Sequence, residues 1–81
     1  MLKKQKMKIV VVLDNIRSMH NIGAIFRTCD ALGNTSIYLC GICATPPNKD
    51  IHKTALGSTE SVNWRYFNNT KNAIENLIDN K

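Results

Sequence analysis

Between Asn15 and Gly33 the chain reads NIRSMHNIGAIFRTCDALG, which gathers Asn15, Arg17, His20, Asn21 and Arg27 around a glycine-bearing turn and the helix behind it. Arg17 and Arg27 have the planar, forked geometry that suits bidentate contact with phosphate oxygens. Asn15 and Asn21 each offer donors and acceptors to a ribose or a base edge. Simpler roles exist for each. Asn21 suits a helix N-cap, Arg17 a solvated loop charge, and His20 a hydrogen-bonded loop neighbour. Arg27 is the hardest to dismiss, because its plain role is an i,i+3 ion pair with Asp30, worth only a few tenths of a kcal/mol when exposed (roughly 0.2–0.5). The turn carries one glycine, Gly23, which lets another chain or a ligand approach the backbone closely. The G-x-G-x-x-G fingerprint and the phosphate-loop signature are both absent, so nucleotide-fold readings that depend on them fail.

The elements that must position these residues follow from periodicity. Lys8 to Leu13 reads as a buried strand, since a continuous aliphatic run without helical period belongs to a parallel sheet covered on both faces. Asn21 then caps a helix whose apolar stripe is Ile22, Ile25, Phe26, Cys29 and Leu32, closed by Gly33-Asn34. Ser36 to Gly41 is a second strand, and a long loop with two prolines runs from Ile42 to Asp50. Asp50 to Leu56 forms a short helix with Asp50 as cap and Gly57 as terminator. Ser61 to Phe67 is a third strand, and Thr70 to Asn80 a second amphipathic helix with Ala73, Ile74, Leu77 and Ile78 inward. The order β-α-β-(short α)-β-α calls for a parallel α/β sheet with right-handed crossovers. Ligands of such sheets sit at the carboxyl ends of the strands, where the Asn15–Asn21 turn falls. Three strands leave one face or edge of the sheet exposed.

The chain has 81 residues and a formal charge of +5, and Lys3, Lys4, Lys6 and Lys8 supply four of those charges. Residues 1–8 therefore read as a basic tail next to a nearly neutral domain, suited either to non-specific attraction to a polyanion such as RNA or to simple solvation. The longest apolar run, Ile9 to Leu13, is far short of the roughly 20 residues a membrane helix needs, so no membrane association and a cytoplasmic location are expected. Cys29, Cys40 and Cys43 are odd in number, which argues for a reducing compartment and structural thiols. Cys40-Gly-Ile-Cys43 has C-x-x-C spacing but runs into Pro46-Pro47 in place of a helix N-terminus. A zinc site would require Cys29, Cys40, Cys43 and His52 to converge. No metal is expected.

The string Asn21-x-Gly23-Ala24-x-x-Arg27-Thr28, with Asn15-x-Arg17 before it and Asp30-Ala31-Leu32-Gly33 after it, resembles the first motif of the SpoU (TrmH-type) RNA ribose methyltransferases of the SPOUT superfamily. Ile37-Tyr38-Leu39-Cys40-Gly41, the Pro46-Pro47 loop, Lys53-Thr54-Ala55-Leu56-Gly57-Ser58 and Trp64 extend the resemblance from about Ile9 to Phe67. It implies methyl transfer from S-adenosylmethionine to a ribose 2′-hydroxyl of tRNA or rRNA. Arg27 and Asn21 would be the catalytic residues, and Asn15, Arg17, His20 and Lys53 would face the RNA. A guanidinium at Arg27 is expected to hold the adjacent phosphate and stabilise developing alkoxide; arginine hardly deprotonates in proteins, so it is not expected to act as the base.

The family's later motifs, which build a C-terminal trefoil knot and the S-adenosylmethionine pocket, have no counterpart in these 81 residues, and Glu60 lacks the context to replace them. The expectation is a parallel three-stranded β-α-β-α-β-α half of a Rossmann-like SPOUT domain, residues 9–81, without the knot. Such a chain would hold no cofactor-binding residues, would be inactive alone, and would belong to an enzyme that is homodimeric at full length. The alternatives are a non-catalytic RNA-binding module and an α/β half-domain that acts through a partner chain.

Overall fold

Ile, Val and Leu at positions 9–13 favour an extended chain because β-branching restricts their χ1 rotamers. The computed structural model of the protein, which describes residues 8–79, places them in β1 (Ile9–Asp14). There follow α1 (Met19–Leu32), β2 (Thr35–Cys40), α2 (Lys49–Ala55), a single 3-10 turn (Ser58–Glu60), β3 (Asn63–Phe67) and α3 (Thr70–Asp79). The strands form one parallel sheet in the order β1-β2-β3. The α/β reading holds, and the architecture is that of half a Rossmann-like SPOUT domain. Lys3, Lys4 and Lys6 of the basic tail and the expected helix end at Asn80 lie outside the described residues.

Parallel register sets Val11, Ile37 and Trp64 abreast, with Leu13, Leu39 and Tyr66 in the next row. Alternation puts these rows on one face, where Ile22, Phe26 and Cys29 of α1 and Ile51 and Ala55 of α2 close the main core. The opposite face is thinner. It presents Val10, Val12, Tyr38, Cys40, Arg65 and Phe67, and α3 lies against it with Ala73 buried and Asn76 accepting from the Tyr38 hydroxyl at 3.0 Å. Tyr38 and Phe67 pack ring to ring at 4.8 Å, and the Arg65 guanidinium lies 4.9 Å from the Phe67 centroid.

Several local expectations change. Ser18, not Asn21, caps α1: the helix starts a turn earlier, and the Ser18 hydroxyl accepts from the Asn21 N–H at 3.1 Å. Asn48, not Asp50, caps α2, its Oδ1 accepting from the N–H groups of Asp50 and Ile51 at 2.9 and 3.1 Å. α2 closes through Leu56, which takes the left-handed conformation (φ 53°, ψ 49°), a geometry that costs about 1–2 kcal/mol outside glycine. The third strand starts two residues late because Ser58–Glu60 winds into the 3-10 turn. Leu32 is 62% exposed; ten residues at about 100° each bring it roughly 80° off Ile22 and out of the stripe. Ile74 and Ile78 are also exposed, since α3 meets the sheet through Ala73 and polar side chains. The β1 run is only half-buried at Val10–Val12, because β1 is an edge strand under this thin cover.

Two backbone approaches hold the layers. A Cβ on Gly23 would overlap Thr54 Oγ1 and the Ile51 carbonyl oxygen, so the space that sequence reasoning reserved for another chain or a ligand is filled by α2. At the carboxyl ends of the strands Asn15 (φ 55°) accepts from the Ile42 N–H at 2.7 Å, and a Cβ on Gly41 (φ 68°) would overlap that asparagine. The Gly41 N–H also donates to Phe67 O at 3.0 Å, and the Tyr66 hydroxyl to Gly41 O at 2.8 Å.

Gly23→Ala is expected to lower stability by about 1–3 kcal/mol, because a backbone carbonyl cannot rotate away and the overlap outweighs alanine's better helix propensity. Urea denaturation checks this; an unchanged midpoint would contradict the close contact. Ser18→Ala should cost about 1 kcal/mol through loss of the cap, while Asn21→Ala stays within about 0.5 kcal/mol. Thermal melts of the two variants compare them directly.

Candidate functional site

One face of α1 packs on the sheet, and a second stripe, His20, Ala24, Arg27, Thr28 and Ala31, recurs at helical spacing on its outer side. With α2 seated on Gly23, this stripe faces Lys53, Thr54 and Leu56 across an open groove of about 590 Å³. Ala24 and Ala31 have short side chains that leave room for the groove. The Thr54 hydroxyl donates to the His20 carbonyl at 2.9 Å and ties the walls together. Three residues singled out in the sequence, His20, Arg27 and Lys53, are thus brought to one site although Lys53 comes from a different helix.

The electrostatics of the groove are simple. Arg27 is exposed and makes no ion pair with Asp30 among the described residues. Lys53 Nζ lies 3.7 Å from Asp50 Oδ1, and both side chains are largely exposed. Such a pair is worth about 0–1 kcal/mol, so an arriving anion can compete for the lysine. The guanidinium offers a rigid fork and the ammonium a mobile point charge, an arrangement suited to successive phosphates of one chain.

The remaining singled-out residues stand elsewhere. Asn15 closes the strand ends, and its side-chain oxygen is engaged by the Ile42 N–H. Arg17 is exposed in the loop between β1 and α1, outside the groove lining. Asn21 is exposed on the first turn of α1, beside His20 but also outside that lining. Thr28, Thr54 and Leu56 line the groove without having been singled out. The groove-lining residues of α1 recur at i, i+4, i+7, i+8 and i+11 from His20, a second stripe that was legible once the apolar one had been assigned.

The cysteines do not converge. Cys29 belongs to the main core, whereas Cys40 points to the opposite face of the sheet. Burial pushes both thiols above the usual cysteine range, which disfavours the thiolate needed for redox or metal chemistry. Cys43 is half-buried, its sulfur accepting from the Ile16 N–H at 3.2 Å and donating toward the Cys40 carbonyl at 3.3 Å. Among the described residues no three His, Cys, Asp or Glu side chains are placed to hold a metal ion, and no helix is long and apolar enough to cross a membrane.

Comparison with known proteins gives this geometry a context. Residues 8–81 match the SpoU rRNA methylase family. A tRNA (guanosine(18)-2′-O)-methyltransferase of Aquifex aeolicus is 32% identical over 81 residues, an alignment that covers 99% of this chain and 36% of that protein. A protein of Staphylococcus saprophyticus assigned to the TrmH family of tRNA/rRNA methyltransferases is 29% identical over 77 residues, covering 95% of this chain and 31% of that one. A Staphylococcus aureus protein with the same assignment is 31% identical over 78 residues, covering 96% and 32%. The chain spans about a third of the length of these relatives. Since the family match runs through every strand and helix that builds the groove, the chain belongs to the SpoU rRNA methylase family.

Proposed function

We propose that this chain supplies the RNA-facing part of a methyltransferase that moves a methyl group from S-adenosylmethionine to a ribose 2′-hydroxyl of tRNA or rRNA. The observation that carries the reading is the convergence of His20, Arg27 and Lys53 on one groove. Arg27 grips the phosphate next to the target ribose through two parallel N–H bonds, and Lys53 holds a neighbouring phosphate once it leaves Asp50. A ribose hydroxyl is a poor nucleophile until its proton is lost. A fixed guanidinium beside it favours the developing alkoxide electrostatically, without acting as the base, and the released proton passes to solvent through the open groove. Asn21, released from capping by Ser18, orients the ribose from the adjoining face of α1. Arg17, in the preceding loop, extends the positive surface toward the next phosphate.

Among the described residues the groove lining carries no acidic side chain to hold the S-adenosylmethionine sulfonium, so it offers the cofactor no binding site of its own and no step is routed through the cofactor here. The methyl donor must be held by other parts of the full-length enzyme. Residues 9–81 accordingly serve as its N-terminal portion.

Filter binding of the chain to tRNA and to rRNA across a salt series tests the RNA-facing role. Arg27→Ala and Lys53→Ala should each weaken binding to every RNA and each reduce the slope of log affinity against log salt by about one. Slopes equal to the parent's would place the phosphates elsewhere. Titration calorimetry with S-adenosylmethionine is expected to give no binding heat for residues 1–81; saturable binding would overturn the assignment of the methyl donor to other segments.

A further inference from the structure

We propose that Leu56 is an apolar wedge that packs against an unstacked nucleobase held in the groove between α1 and α2. The inference rests on the RNA-facing reading of that groove and adds to it what kind of RNA enters. Leu56 has an unusual backbone: it sits in the left-handed region at φ 53° and ψ 49°, where glycine or asparagine is the ordinary occupant. Glycine is available one position later, since Gly57 is itself left-handed at φ 87°. The task that closes α2 falls to the Leu56 N–H, which donates to the His52 carbonyl at 3.2 Å, and this task needs no side chain. The core does not use the side chain either. Leu56 is absent from the main hydrophobic cluster and is 63% exposed.

A lone exposed leucine is ordinary. A strained one that lines a groove shared with Arg27 and Lys53 is not, and backbone strain of this kind concentrates at functional sites. The groove is therefore two-sided in its chemistry, with cations that suit phosphates and an apolar lip that suits the face of a base. Thr28 and Thr54 also line it. In a duplex the base faces are stacked and out of reach, whereas loops and single strands can splay a base against an apolar side chain. The matching ligand is a nucleotide in a single-stranded or looped segment, with its flanking phosphates on Arg27 and Lys53 and its base on Leu56.

The test uses the 81-residue chain, fluorescence anisotropy and two labelled probes of equal length and charge. One is a single-stranded RNA oligomer, and the other is an oligomer of abasic ribose phosphates. Leu56→Gly suits the left-handed backbone, so its melting temperature should equal or exceed the parent's. Its affinity for the RNA oligomer should fall about tenfold through lost apolar contact, with the abasic oligomer unaffected and the salt slope unchanged. Leu56→Asn, which also tolerates this conformation, should show the same loss, and Leu56→Met should retain parent affinity. An unchanged RNA affinity in a folded Leu56→Gly or Leu56→Asn variant overturns the wedge, as does an equal loss on both oligomers. If Arg27→Ala and Lys53→Ala weaken binding while the Leu56 variants do not, the wedge fails and the RNA-facing groove stands. If none of them changes affinity, both readings fail.

Discussion

The seating of α2 on α1 at Gly23 is the constraint on which the rest of the molecule depends. Without a Cβ at that position the Ile51 carbonyl and the Thr54 hydroxyl come directly against the α1 backbone, and Thr54 then reaches the His20 carbonyl. The same approach buries Ile51 and Ala55 over Ile22 and Phe26, which completes the main core. It also decides how far Lys53 stands from Arg27. Packing and charge placement are one event here: the contact that excludes water from the core shapes the groove on its outer side.

The carboxyl ends of the strands are arranged by a second set of polar contacts. Asn15, Gly41 and Tyr66 come from three successive strand ends, and their hydrogen bonds satisfy backbone groups that the end of the sheet would otherwise leave unpaired. Left-handed φ at Asn15 and Gly41 lets both chains turn away from the sheet within a residue. The Thr70 hydroxyl donates to Asp14 at 2.6 Å and brings the start of α3 to the same rim. This rim is where open α/β sheets place ligands, yet in this chain its polar groups are largely spent on one another. The cations of the groove, Arg27 and Lys53, lie instead on the flanking helices.

The two faces of the sheet differ in how completely they are covered. The face under α1 and α2 is closed by aliphatic and aromatic side chains, while the face under α3 depends on Ala73, an aromatic pair and hydrogen bonds to Asn76. Ile74 and Ile78 stay in solvent and Val10 and Val12 remain half-buried, so much of the apolar surface on that side gives no burial energy. The groove belongs to the well-packed side.

Much of this was legible in the chain itself. The Ile9–Leu13 run, the Ile22–Phe26–Cys29 stripe and the alternation of strand and helix determine the parallel α/β fold, because local periodicity and the right-handed crossover leave few other solutions. The N-x-G-A-x-x-R-T string likewise marked Arg27 and carried the family resemblance. Caps were misplaced by a turn at Asn21 and by two residues at Asp50, since Ser18 and Asn48 are equally good acceptors and only backbone geometry chooses between them. Leu32, Ile74 and Ile78 were assigned inward by pattern, but burial depends on how far the neighbouring element extends. Which of these polar residues share one groove was decided by tertiary structure: Lys53, which the resemblance also set facing the RNA, joins Arg27 through the Gly23 contact, and Asn15 is drawn away to the strand ends. Residue type and spacing determine what chemistry a side chain can offer; the packing of α2 against α1 determines which side chains can offer it to the same ligand.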